Sequence, residues 1–134
     1  MLEKHDALPN PCEFKSNGGV GRLWKACSYS WQGLIGAYSH EAAFRQELAI
    51  GLPLIAMAWW LAPDRPSALA MTLSILLVFV VELINSAIEA VADAITTDNH
   101  PLLKRAKDMG SAAVLLSILG AVATWATVLS GWWV

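Results

Sequence analysis

The stretch Ser67–Ile95, SALAMTLSILLVFVVELINSAIEAVADAI, decides how the rest of the chain is read. Ala68 to Val81 is almost unbroken apolar sequence, and together with the residues after Val81 it is long enough to cross a bilayer as a helix. Polarity then returns on one side only. At about 100° per residue, Glu82, Asn85, Glu89 and Asp93 fall within a sector of about 80°, while Leu83, Ile84, Ala87, Ile88, Val91 and Ala92 fill most of the remainder. Depth separates the carboxylates. With hydrocarbon starting near Ser67 and a rise of about 1.5 Å per residue, Glu82 lies roughly 22 Å along a core about 30 Å thick, and Glu89 roughly 33 Å along, close to water. Only Glu82 bears a clear burial cost, about 2.5–3.5 kcal/mol at mid-membrane on insertion scales and less towards the interface. A carboxylate kept there is expected to have a function; the plainer alternative is a protonated or paired glutamate that holds helices together. Asp93, further out, needs no role beyond solvation.

Composition agrees with a membrane chain. Of its 134 residues 56% are hydrophobic and 15% charged, and seven are tryptophan, which sets it apart from soluble globules. That length holds one domain and leaves no room for a separate soluble nucleotide-binding fold, so a second substrate has to share the same helices. No basic stripe interleaved with aromatics points to nucleic acid. Cys12 and Cys27 stand in no CxxC or zinc-like spacing and read as unpaired thiols, reduced if their region faces the cytoplasm. The first long apolar run begins only at Leu48, so no signal peptide is expected.

Outward from the central stretch, residues 1–21 are polar, punctuated by Pro9, Pro11, Gly18, Gly19 and Gly21, and predict a flexible tail. GGVGR there lacks a preceding strand and a GK[ST] ending, so it is a linker rather than a phosphate loop. Residues 22–45 mingle Leu23, Trp31, Leu34, Ile35, Tyr38 and Phe44 with Arg22, Lys25, Gln32, His40 and Glu41, the pattern of a helix in the headgroup layer, with Gly33 and Gly36 offering bends. LAIGLPLIAMAWWLA (48–62) predicts a first span over about 47–62, kinked at Pro53, with Trp59 and Trp60 anchoring the far interface and the PDRP turn outside. The second span covers about 67–94. TTDNHPLLKRAKD forms a polar turn in which Pro101 precedes the next helix, a third span over about 106–131 with small residues Gly110, Ser111, Ala112 and Ala113 near its start. Residues 22–134 thus form a single all-α membrane domain. Lys4, Lys15, Arg22, Lys25 and Arg45 precede the first span and Lys104, Arg105 and Lys107 come after the second, against Arg65 alone in the PDRP turn, which puts the N-terminus and the acidic end of the central helix in the cytoplasm. Glu41, Glu47, Glu82, Asn85, Glu89, Asp93, Lys107, Asp108 and Ser111 then gather near one membrane face.

Carboxylates with a lysine and no His/Cys ligand set are hard-oxygen chemistry, suited to Mg²⁺. A poorly solvated carboxylate among them suits a general base for an alcohol, and together they imply phosphoryl transfer to a lipid hydroxyl. The residues alone say little about ATP, and an ion channel or carrier with an acidic pathway has much the same signature. A scaffold or signalling subunit is a third reading.

EAAFRQE (41–47), VELINSAIEAVAD (81–93) and RAKDMGSAAV (105–114) resemble the signatures of the small prokaryotic diacylglycerol kinases, in order and at matching intervals from Arg22 to about Val128. The resemblance implies an integral membrane homotrimer of three-span chains, each with an N-terminal surface helix, active sites shared between protomers, and ATP- and Mg²⁺-dependent conversion of diacylglycerol to phosphatidate at the cytoplasmic face of a bacterial inner membrane. By the same resemblance Glu82 is the general base and Glu41 and Glu89 are the metal-bridging carboxylates. Arg22, Tyr29, Asp98, His100, Lys107 and Asp108 match nucleotide contacts. Asn85 and Ser111 match positions around the transferred phosphate and lipid head, and Ser30, Trp31, Ala43, Arg45, Gln46 and Glu47 match the region through which lipid enters, next to Arg22. A related branch phosphorylates undecaprenol; the AAFRQE form is more similar to the diacylglycerol branch. The chain departs from the family pattern in a longer tail, in Cys27, in Asp93-Ala94 where Asp-Arg is frequent, and in the turn Thr96–Leu103.

Overall fold

The computed structural model describes residues 20–96, 98 and 100–131, and these form α1 (Val20–His40), α2 (Ala42–Leu61), α3 (Arg65–Ile95) and α4 (Pro101–Leu129), with no strand among the described residues. The expected tail lies outside the described residues except for Val20 and Gly21, which already belong to α1. The chain divides into two compact units, Met1–Ile35 and Gly36–Val134. In the first, every residue from 20 to 35 is exposed, Leu23, Trp24, Trp31, Leu34 and Ile35 among them, and these recur at the three- and four-residue spacing of an apolar helix face. Gly33 and Gly36, read as bends, lie inside an unbroken α1.

The break comes at Glu41, whose backbone is extended at φ −102° and ψ 113°. The surface helix therefore ends about five residues earlier than the sequence predicts, and α2 starts at Ala42 rather than near Glu47. Packing accounts for the difference. Phe44 is 3% exposed and its ring meets Phe79 edge-on, centroids 6.4 Å apart, so the first turn of α2 is drawn onto α3. Further along, a Cβ at Gly51 would stand 2.7 Å from Cε1 of Phe79 and 2.9 Å from Cγ2 of Ile75, so glycine is what leaves these two side chains room against α2. α2 runs as one helix through Pro53, which has no amide hydrogen to give to the carbonyl of Ala49.

α3 begins inside the predicted PDRP turn. Asp64 caps it by accepting from the Ser67 amide at 2.7 Å, and Pro66 sits in the first turn, where a missing N–H is harmless. The same bond holds the Asp64 carboxyl below its ordinary value of 3.8. Pro101 likewise occupies the first turn of α4, which starts about five residues before the predicted third span. α3 and α4 are both long and apolar enough to cross a membrane. With 31 residues, α3 is about 46 Å long and outreaches a hydrocarbon core of about 30 Å.

Both α2 and α4 pack on α3. The buried face of α3 reads Ala68, Met71, Ile75, Val78, Phe79, Glu82, Asn85 and Ser86, steps of three and four that trace one seam. At its start Met71 is fully buried against Ala58 and Val128, with the Trp125 indole donating to the Met71 carbonyl at 3.3 Å. In its middle Ile75, Val78 and Phe79 meet Phe44 and Ala121. Leu69, Leu73, Leu77, Val80 and Ile84 face outward, as a lipid-facing side would.

Candidate active site

The polar residues of α3 continue the packing seam rather than a solvent face. Glu82 is 4% exposed and Asn85 and Ser86 are 8% exposed, directly beyond the apolar layer of Val78 and Phe79. The carboxylates of Glu41 and Glu89 lie within Coulombic reach of Glu82, and so does Glu47. The structure thus joins four of the predicted acidic residues at the end of α3 where the apolar run stops. None of the four has an ion-pair partner among the described residues.

Each acid is held by its helix in a distinct way. Glu41 is the N-cap residue of α2, yet its carboxylate makes no capping hydrogen bond and is free for another task. Arg45, one turn on, donates to the carbonyls of Tyr38 at 3.0 Å and Ser39 at 3.3 Å in the last turn of α1. Glu89 accepts from the Asn85 amide at 3.1 Å. Asn85 Oδ1 and Glu47 Oε2 are buried without a hydrogen-bond partner among the described residues, two acceptors left unsatisfied. Asn85 also explains Gly110: a Cβ there would fall within 3.0 Å of Asn85 Oδ1. Ser111, the next residue, is exposed, as are Ala43 and Gln46.

Beyond this cluster a depression of about 290 Å³ is lined by Asp93, Asp98, His100, Lys107 and Asp108 among others. It joins all four residues expected to meet the nucleotide from the turn and α4. Lys107 bridges α4 to α3 through Asp93 at 2.5 Å, and Lys104 pairs with Asp108 at 2.6 Å within α4. Asp93, read from the sequence as merely solvated, is exposed but bonded. Its signal was its place four residues after Glu89 on the same stripe. An apolar hollow of about 530 Å³, lined by Gly51, Ile75, Phe79 and Trp125 with Glu47 as its charged residue, escaped the sequence reading. Arg22, Tyr29, Ser30 and Trp31 lie in the first unit on α1, all exposed, with the Ser30 hydroxyl turned back to the Ala26 carbonyl at 3.0 Å.

Among the described residues no group of three or more His, Cys, Asp or Glu is arranged to hold a metal. Glu41 and Glu89 still fit Mg²⁺, which takes one or two carboxylates and fills its octahedron with water and phosphate oxygens. The Glu41 carboxylate, without a capping bond, and the Glu89 carboxylate, with one bond from Asn85, are hard-oxygen donors of that kind.

Comparison with known proteins identifies the family. Residues 28–129 match the family described as prokaryotic diacylglycerol kinase. The diacylglycerol kinase of Escherichia coli K12 is 50% identical over 111 residues, covering 83% of this chain and 91% of the relative. That of Pseudomonas aeruginosa is 43% identical over 122 residues, covering 91% and 99%, and that of Helicobacter pylori is 46% identical over 101 residues, covering 75% and 79%. A match spanning three of the four helices whole, together with relatives of nearly the same length, makes this chain a member of the prokaryotic diacylglycerol kinase family.

Proposed function

We propose that the chain is an ATP- and Mg²⁺-dependent membrane kinase that phosphorylates the hydroxyl of diacylglycerol to give phosphatidate at the cytoplasmic face of a bacterial inner membrane. The observation that carries this reading is Glu82, a carboxylate 4% exposed on a membrane-length helix with Glu41, Glu47 and Glu89 within Coulombic reach. In the reaction the lipid oxygen attacks the γ-phosphorus in line and its proton passes to Glu82. The new O–P bond forms as the bond to the β-γ bridging oxygen breaks, and ADP leaves with that electron pair. Burial of Glu82 excludes water that would otherwise compete for the phosphoryl group. Glu41 and Glu89 would hold Mg²⁺, which when bound spreads the charge developing on the phosphate oxygens. Asp98, His100, Lys107 and Asp108, which share one depression, receive the nucleotide in this reading; Arg22 and Tyr29 are nucleotide contacts by resemblance alone. Asn85 and Ser111 attend the phosphate and lipid head, and Ser30, Trp31, Ala43, Gln46 and Glu47 the incoming lipid.

α2 serves as the third span, and the functional unit is a homotrimer with shared sites. The exposed apolar side chains Ile50, Leu52, Met57, Trp59 and Trp60 support the span, as residues that face lipid and its interface, while the trimer follows from the resemblance of the sequence motifs to the family. The test is transfer of the γ-phosphate of ATP to diacylglycerol and to undecaprenol, side by side, with the full chain in detergent. Phosphorylation of diacylglycerol is expected, and it needs no sealed vesicle, unlike the flux of a channel. No transfer to either lipid refutes the reading, and transfer to undecaprenol alone replaces the lipid named here. Glu41→Gln and Glu89→Gln should each raise the Mg²⁺ requirement, and unchanged curves in both would remove the metal assignment.

A further inference from the structure

The sequence resemblance puts Arg45 among residues that meet incoming lipid, but its guanidinium is already engaged. One Nη1 donates to two carbonyls, those of Tyr38 and Ser39, at the end of α1. The last turn of a helix presents unpaired carbonyls and the negative end of its dipole, and an arginine there satisfies both. The residue it spans is Glu41, the single residue between α1 and α2. Glu41 is pinned on both sides by backbone: its amide donates to Ala37 at 2.8 Å, and its carbonyl accepts from the Arg45 amide at 3.4 Å. No capping bond holds its carboxylate. Where that carboxylate can reach is therefore set by the angle at which the last turn of α1 meets α2; Ala37 packs beneath that turn on the Phe44 cluster, and the side-chain hydrogen bonds that tie the turn to α2 come from Arg45.

We infer that Arg45 is a positioning residue for Glu41: by tying the last turn of α1 to the first turn of α2 it holds the Glu41 carboxylate where the metal–nucleotide complex needs it. The inference rests on the proposed role of Glu41 in metal binding. It differs from a lipid contact in what it changes. Loss of a lipid contact raises KM for diacylglycerol, whereas loss of a support behind a metal carboxylate weakens the metal, by about ten- to a hundred-fold for outer partners of ligands.

The experiment compares wild type, Arg45→Gln, Arg45→Lys, Glu41→Gln and the double variant Arg45→Gln/Glu41→Gln as full chains in detergent. Mn²⁺ binding in the presence of a non-transferable ATP analogue is followed by electron paramagnetic resonance, alongside the Mg²⁺ dependence and lipid KM of phosphoryl transfer. Arg45→Gln is expected to weaken Mn²⁺ and raise the Mg²⁺ requirement about tenfold or more with lipid KM unmoved. Arg45→Lys, which keeps the charge but loses the planar fork, is expected to fall between. In the Glu41→Gln background Arg45→Gln should add nothing, because both act on one contact. A raised lipid KM with normal metal binding, unchanged metal binding, or additive effects in the double variant would each overturn the inference. Should Arg45→Gln not fold, the Arg45→Lys titration decides alone, and metal binding equal to wild type overturns it. A wild type that binds Mn²⁺ with nucleotide but phosphorylates no lipid removes the proposed function and leaves this inference standing.

Discussion

Gly110→Ala tests whether the close approach of α4 to Asn85 serves the site. The added methyl would lie within 3.0 Å of Asn85 Oδ1 and 3.3 Å from its Cγ, while the Asn85 Cα at 3.8 Å is ordinary contact. The amide, not the backbone, has to give way. Its displacement breaks the 3.1 Å bond from Asn85 to Glu89. Helix propensity favours alanine by about 1 kcal/mol, and overpacking opposes it by about 1–3 kcal/mol, so stability should change little or fall by up to about 2 kcal/mol. Activity should fall further, because a hydrogen bond to a carboxylate contributes about 1.5–3 kcal/mol and each 1.4 kcal/mol is about tenfold in rate. We expect kcat/KM for lipid phosphorylation to drop roughly ten- to a hundred-fold. The control is Gly120→Ala on the same helix, where nothing stands within 4 Å of the new methyl; it should keep full activity and gain stability by about 0.5–1 kcal/mol. Equilibrium unfolding in mixed micelles and initial rates on the same preparations supply both readouts. Full activity in Gly110→Ala, or equal losses in the two variants, would refute the reasoning.

Glu82→Gln should lower kcat by about 10²–10⁴ with lipid KM nearly constant, as removal of a general base requires, and wild-type turnover would remove the base from the mechanism. Asp64 has a carboxyl held below its usual range by the Ser67 amide, so the cap stabilises α3 above the unfolded value near 3.8 and is lost as pH falls through the lower folded value. Wild type and Asp64→Asn, compared by thermal unfolding, should therefore converge in strong acid and diverge above about pH 4, and a difference that grows on acidification would contradict the assignment. For shared sites, inactive Glu82→Gln and Asp108→Asn chains assembled together should recover some transfer, and co-assembled mixtures with none would argue for self-contained sites.

Much of the architecture was readable because lipid imposes length and periodicity. The apolar run from Ala68 to Val81 and the stripe from Glu82 to Asp93 are enough to locate α3 and its polar end. Helix starts were harder for a local reason: Pro66 and Pro101 read as turn residues, yet proline is welcome in a first turn, so both helices reach further back. The break at Glu41 had no local signal at all, since AAFRQE is good helix-forming sequence on both sides. It exists because Phe44 finds Phe79 on α3, a tertiary contact. The four acids were identifiable from burial cost and resemblance, whereas the seating of Asn85 on Gly110 and of Lys107 on Asp93 depends on which side of α4 meets α3, which a polar end and a small-residue run leave open.

Pro53 leaves the Ala49 carbonyl without its donor inside α2. Bending about that point breaks no backbone bond. On one side of it Phe44 is held against Phe79, and on the other Ala58 is wedged against Met71. The helix that brings Glu41 and Glu47 to the seam therefore has its weakest stretch of backbone between two packed anchors, so the position of its first turn depends on side-chain contacts more than on its own hydrogen bonds.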